Sequence, residues 1–294
     1  TLKDSDSWSN FSPSLTLSYN WADGVNVYAK VGRGYRAGGY NARATTEETF
    51  RSPVDEEKVL AYELGIKSDW FDRSLRLNAA YFQMKYTDRQ VTQFTATGAG
   101  ASAAVVNAGK SINQGVELDL TWLPLPGLQL ALNYGYLDVN YRSFKTGLLD
   151  PVTGLQVRDN ANNPVVMDIS RIASEAYYAP RHSGSFVAQY ALEPWSWGQL
   201  TLRADTIYVD KITNHPQMYL YDNKKAHQLF NARATLSEIA IGREGRLSIS
   251  AWGHNLENKR YREFGIDFGQ LGFAINSYGE LRSYGLDFIY EYGR

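Results

Sequence analysis

A chain of 294 residues with no cysteine and a formal net charge of -1 excludes disulfides, thiolate metal sites and cysteine nucleophiles. It also gives no electrostatic reason to bind nucleic acid, since no basic cluster stands out. No apolar run approaches the roughly 18 residues of a membrane helix, whereas 21 Tyr, 7 Trp and abundant Gly suit strands and turns.

Taken in chain order, the first alternating stretch carries Leu15, Leu17 and Tyr19, and the turn Trp21-Ala22-Asp23-Gly24 leads into Val25, Val27, Ala29 and Val31. Asp-Gly between two such runs is a strong hairpin signal. The third and fourth stretches show Leu60, Tyr62, Leu64, Ile66 and then Leu75, Leu77, Ala79, Tyr81. Val116, Leu118, Leu120 and Trp122 follow, with Pro124-Leu125-Pro126-Gly127 turning into Leu128, Leu130, Leu132, Tyr134 and Tyr136. Beyond a long polar link come Phe186, Ala188, Tyr190 and, after Glu193-Pro194, Leu200, Leu202, Ala204, Tyr208. Phe230, Ala232, Ala234, Leu236 and Leu247, Ile249, Ala251 form the next pair, and Tyr284, Leu286, Phe288, Tyr290, Tyr292 the eleventh stretch. Residues two apart share one face of a strand, so each stretch has one apolar side.

The links alternate in length. Short turns fall at about 20–25, 68–74, 122–128, 191–199 and 237–246, and long links at about 33–56, 87–112, 138–180, 210–226 and 255–279. Membrane barrels of the outer-membrane type have short periplasmic turns and long extracellular loops, and expose only alternate residues to lipid, so their mean hydropathy stays low. Trp21, Trp70, Trp122, Trp195 and Trp197 sit in or beside the short turns, where an aromatic girdle belongs; Trp8 and Trp252 do not. The apolar sides carry no charge at mid-strand, while Glu63, Arg76, Glu117, Asp119, Arg203, Asp205, Arg233 and Asp287 lie on the opposite sides. The reading is an all-β transmembrane antiparallel barrel with a solvated interior. Eleven strands cannot close alone in lipid, and the chain opens Thr1-Leu2-Lys3-Asp4 with no leader, so it is read as part of a longer protein.

Several of these stretches together resemble the C-terminal half of a TonB-dependent outer-membrane receptor. The residues that carry the likeness are Tyr28-Ala29-Lys30 with Gly34-Tyr35-Arg36-Ala37-Gly38-Gly39-Tyr40-Asn41, and Glu57-Lys58 with Tyr62-Glu63-Leu64-Gly65-Ile66-Lys67. Asn107-Ala108-Gly109-Lys110 with Gly115-Val116-Glu117-Leu118, Pro180-Arg181-His182, Asn231-Ala232-Arg233, Asn255-Leu256 with Tyr261, and Arg282-Ser283-Tyr284-Gly285-Leu286 continue it in order. The resemblance implies residues 1–294 as about 11 strands of a 22-stranded barrel, with the plug, the energy-coupling box and the first strands upstream. It implies a multi-pass protein of a Gram-negative outer membrane that binds and imports a scarce ligand, most often a ferric siderophore, energised through TonB. Its partners would be that small molecule, outer-membrane lipid and TonB, with no nucleic acid. A passive porin-like channel and a barrel enzyme are the alternatives.

Residue chemistry points away from catalysis and from a cofactor. His182, His215, His227 and His254 share no metal-ligand spacing, the Gly32–Gly39 cluster lacks the strand-to-helix context of a nucleotide loop, and Glu117 and Asp119 have no nearby nucleophile and base. Recognition is expected on the long links, because loops on a rigid scaffold carry it. The candidates are Arg36, Tyr40, Asn41 and Arg43 in the first link, Arg89, Gln90 and Gln93 in the second, Arg171 and Tyr178 in the third, and His215 and Tyr219 in the fourth. Cations and rings together suit an anionic, ring-bearing ligand through charge-assisted hydrogen bonds and stacking.

Overall fold

The computed structural model describes residues 5–41, 50–51, 53–97, 100–148, 157–163, 165–173, 179–213, 223–267 and 273–293. Eleven strands form one antiparallel meander in which each pairs with the next: β1 (Ser14–Ala22), β2 (Val25–Arg36), β3 (Glu57–Trp70), β4 (Leu75–Thr87), β7 (Gly109–Leu125), β8 (Leu128–Gly147), β10 (His182–Ala191), β11 (Gln199–Val209), β12 (His227–Ile241), β13 (Gly245–His254) and β16 (Ser283–Tyr292). β1 and β16 are the two open edges. All eleven are between 9 and 20 residues long, and a tilted strand needs about 9–11 residues to span a bilayer. The strands inserted in the long links are shorter: β5 (Gln90–Thr97) and β6 (Gly100–Asn107) have 8 residues each, β9 (Val166–Asp168) 3, β14 (Arg262–Asp267) 6 and β15 (Ala274–Tyr278) 5.

Register welds the alternating stretches into one surface. Leu17 faces Ala29, Ala29 faces Leu64, Leu64 faces Tyr81, Tyr81 faces Val116 and Val116 faces Tyr136. Farther along, Leu132 faces Phe186, Ala188 faces Ala204, Ala204 faces Ala232, Ala234 faces Ala251 and Ala251 faces Leu286. Directly opposed residues share a face, and a slip of one residue would turn every side chain over, so this match across ten pairings fixes the register. Among the described residues no second layer covers the surface: Leu17, Leu64 and Leu286 remain 65%, 62% and 64% exposed. A bare apolar face this wide is far beyond the patches water-soluble monomers expose.

Turn chemistry sets the short links. Gly24 holds φ at +72°, and a Cβ there would stand 2.9 Å from the Asp69 carbonyl oxygen, so the tight β1–β2 turn requires glycine. The five tryptophans expected at this end are all there and all exposed, at 42–73%. On the polar face, Tyr28, Phe82 and Trp252 lie flat over the glycines directly across from them, Gly65, Gly115 and Gly285, where any Cβ would collide with the ring.

The long links differ in detail from the sequence reading. β7 and β8 run into the segments read as links, and β5–β6, β9 and β14–β15 lie wholly within them, as does the four-residue helix α1 (Ser170–Ala173). Gln90–Asn107 mixes Thr, Ala, Val and Gly without the apolar alternation of the sheet, so nothing in its pattern announces a hairpin. The one buried core among the described residues also sits here. Val91, Ala108, Val139, Tyr141, Phe144, Ile169 and Ala173 pack where the β5–β6 hairpin and α1 meet the extension of β8.

Candidate functional site

The polar face is the hollow one. The sheet curls until residues from β2 through β11 line a single space of about 680 Å3, with Tyr28, Lys67, Asn78, Glu117, Asp119 and Asn133 on its wall. Cross-strand hydrogen bonds fix those side chains: Tyr28 Oη donates to Glu63 Oε1 at 2.7 Å, Asn78 Nδ2 to Asp119 Oδ1 at 3.2 Å and Asn231 Nδ2 to Asp205 Oδ2 at 2.8 Å. Arg233 pairs with Asp287 at 2.6 Å, and the Trp252 indole N–H donates to the same carboxylate at 3.2 Å. Acids, cations and amides alternate across the wall and satisfy one another, as a water-filled lumen demands.

At the long-loop end this wall continues into the loops. Arg89, just before β5, lies between two rings, with its guanidinium carbon 5.0 Å from the Tyr86 centroid and 5.2 Å from that of Tyr141. It donates to Ser111 Oγ at 3.0 Å and Asn113 Oδ1 at 3.2 Å. Its main chain exchanges hydrogen bonds with Gly109 and Ala108. The first long link is stitched to the same hairpin. Asn41 brackets the Val105 peptide, donating to its carbonyl at 3.1 Å and accepting its N–H at 2.7 Å. Gln90 Nε2 reaches the carbonyls of Ala37 and Asp55, its N–H donates to Glu57 Oε2 at 2.6 Å, and Asn107 bridges Asp55 and Asp88.

The sequence candidates therefore divide. Asn41 and Arg89, with Gln90, are brought together, but as fasteners between the first link, the hairpin and the wall. Tyr40 packs edge-on to Trp8 and stacks with Phe50. Arg36 is exposed on the polar face opposite Glu57, and Arg171 is exposed on α1. Gln93 is paired with Ala104 in β5. Arg43, Tyr178, His215 and Tyr219 lie outside the described residues. Sequence reasoning gave no role to Tyr86, Ser111, Asn113 and Tyr141, whose spacing is that of ordinary strand residues; only Asn107-Ala108-Gly109 stood out, as a motif.

Two loop carboxylates are held below their usual range by donors. Asp168, ahead of α1, owes this first to the backbone N–H of Ser170, then to the Ser170 hydroxyl and to the Phe144 N–H, with the Lys145 charge adding. Asp159 owes it first to the Asn163 N–H. Tyr261, stacked on His227 with centroids 4.5 Å apart, is pushed up by burial and by the Glu263 and Glu280 carboxylates. Among the described residues no three His, Asp or Glu side chains converge as a metal site.

A curled antiparallel wall, apolar outside and hydrated inside, with short turns at one end and packed loops at the other, defines a membrane β-barrel of the receptor type. The chain belongs to the TonB dependent receptor-like, beta-barrel family, whose model matches residues 2–256. It is 26% identical over 262 residues to the pesticin receptor of Yersinia pestis, a match covering 88% of this chain and 33% of that protein. The chain thus spans about a third of the length of the curated relatives it matches. Among solved structures it resembles the ferric yersiniabactin uptake receptor from Yersinia pestis, with a TM-score of 0.68 and 22% identity over 94% of this chain and 36% of that one. It likewise resembles the ferric preacinetobactin receptor from Acinetobacter baumannii, with a TM-score of 0.62 and 18% identity over 95% and 36%. At these identities the structures speak for the fold.

Proposed function

We propose that this chain is eleven adjacent strands, the C-terminal half, of the barrel of a TonB-coupled receptor in a Gram-negative outer membrane, and that the receptor binds and imports a ferric siderophore. The observation that carries this reading is the face that is apolar at mid-strand throughout, matched strand by strand from β1 to β16 against a polar one. Hydrocarbon outside and water inside is the arrangement that makes both faces stable. The unpaired edges at β1 and β16 cannot stand in lipid, where every backbone group needs a partner, so further strands complete the wall. The curated relatives, about three times as long, support that size.

The long-loop end faces outward in this reading, and ligand capture occurs there and in the upper lumen. Arg36 and Arg171, with Arg43, Tyr178, His215 and Tyr219, supply the cations and rings that an anionic iron chelate requires. TonB acts through a part of the protein outside this chain. The receptor makes and breaks no covalent bond, and its work is binding followed by release inward.

A deletion strain grown on a panel of ferric siderophores, cobalamin and oligosaccharides, with radioiron uptake measured, tests the proposal. Loss of growth and uptake on one ferric siderophore, together with loss of uptake when the proton-motive force is collapsed, is the expected result. Uptake that survives the collapse indicates a passive channel, and a defect confined to cobalamin or sugars overturns the ligand class.

A further inference from the structure

The apolar face carries almost no charge, and its exceptions gather in one sector. In β2, β3 and β4 the residues alternate without a register shift. The face that presents Val31, Tyr62 and Leu64 therefore also presents Arg33, Lys58 and Lys85 farther toward the long loops. Arg33 and Lys85 flank Leu60 in one cross-strand row, and Lys58 lies in the next row between Tyr35 and Thr87. In β7 and β8 the row of Arg33 and Lys85 continues as Ile112 and Asn140 with no cation, the row of Tyr62 continues as Gln114 and Asp138, and the exposed Lys110 stands two residues beyond Ile112 toward the long loops.

Height along the strand gives this cluster its meaning. Trp70 marks the short-turn end of β3, and Leu60 is ten positions away in the same strand. At about 3.4 Å per residue and a tilt of about 40°, that separation is roughly 26 Å along the membrane normal, close to the roughly 25 Å apolar band of a membrane barrel. The cations stand where hydrocarbon gives way to headgroups. They surround a surface hollow of about 660 Å3, walled also by Ser9, Asn10 and Phe11. Glu56 is the one carboxylate among its described lining residues. It pairs with Lys58 at 2.6 Å, and the Asp88 charge acts on Lys58 as well. Arg33 and Lys85 have no ion-pair partner among the described residues; Lys85 lies only over the Tyr62 ring, 5.5 Å from its centroid.

We propose that this sector, on the reading that the apolar face meets lipid, is a binding site for the phosphate of an anionic lipid headgroup. Arg33 and Lys85 clasp the phosphate, Lys58 and the polar groups of Ser9 and Asn10 complete the pocket, and the acyl chains lie down the rows of Val31, Tyr62 and Leu64. Two unpaired cations above a greasy wall match one amphiphile, whereas a free phosphate would gain nothing from that wall.

The test uses the intact full-length protein in neutral detergent, titrated with phosphatidic acid and with phosphatidylcholine and read by native mass spectrometry. The protein is expected to retain phosphatidic acid preferentially, and R33Q/K85Q to lose that preference by about tenfold or more. R33K/K85R keeps it, as does R243Q/R246Q, which removes two charges at the short-turn end. The site is overturned if the two lipids are retained equally, if R33Q/K85Q is unchanged, or if inorganic phosphate alone displaces the lipid. Partition of the protein into water without detergent overturns the lipid-facing reading itself, and that is seen before any lipid is added.

Discussion

The membrane-spanning wall and the long-loop end of this molecule are held together by different means. In the wall, main-chain ladders join eleven strands and almost no side chain is buried; Leu64 is 62% exposed and Leu286 64%. At the loop end, Phe144 and Ala108 are fully buried, Arg89 is sandwiched between rings, and Asn41, Gln90 and Asn107 fasten one loop to the next. The wall depends on its solvent to be stable, while the loop end carries its own core. The contrast teaches where a substitution should act: on the wall through its surroundings, at the loop end through its contacts.

The sharpest way to break that contrast is to charge the wall. Leu64 lies near the midpoint between the tryptophan row and the row of Arg33 and Lys85, so Leu64→Arg is expected to destabilise the protein in lipid vesicles by about 2–4 kcal/mol. Glu117→Gln, on the hydrated face, should change stability by no more than about 0.5 kcal/mol. Denaturant unfolding of both variants in vesicles checks the pair. Equal effects would mean that the two faces share one environment, and the barrel reading would not survive it.

The same contrast explains what the sequence disclosed. Lipid on one side and water on the other imprint a two-residue period, so all eleven wall strands, their apolar faces and the five tryptophans at the short turns were legible from Leu15 to Tyr292. The β5–β6 and β14–β15 hairpins are separate two-stranded sheets off the wall, and no alternation is imposed on Thr92, Ala96 or Ser277. The candidate site was legible only as composition. Asn41 and Arg89 have the chemistry of ligand contacts, yet their partners are the Val105 peptide, 64 residues from Asn41 in the chain, and the rings of nearby Tyr86 and distant Tyr141, a set that only the folded register brings together. Their work as fasteners is a property of place.

A smaller effect is expected when the fastener itself is altered. Arg89→Lys keeps the charge but loses the planar fork that stacks on both rings while donating to Ser111 and Asn113, at a cost of about 1–2 kcal/mol confined to the loop end. Amide exchange at Val91, Ala108 and Val105 should quicken while the amides of β10 to β13 stay protected. If exchange rises evenly through the wall, the two regions are one cooperative unit and the contrast is lost.

The least effect, and the finest probe of the loop end, is titration of Asp168. Its carboxylate accepts the N–H groups of Ser170 at 2.8 Å and Phe144 at 3.3 Å, and these donors lower its pKa below the ordinary carboxylate value of about 3.9. A group depressed in the folded state stabilises that state above its unfolded pKa and loses the contribution as pH falls through its folded pKa. Protection of the Phe144 and Ser170 amides, corrected for intrinsic exchange, should therefore hold from neutral pH down to the ordinary carboxylate range and fall off only below it. Asp168→Asn, which keeps one acceptor but removes the charge, should show reduced protection already at neutral pH and no such acid step. Because Asp168 ties α1 to the end of β8, loss of its protection without any change in β2 or β3 would show that this corner opens by itself, while the wall beneath it, fixed by ladders and lipid, does not respond to the proton.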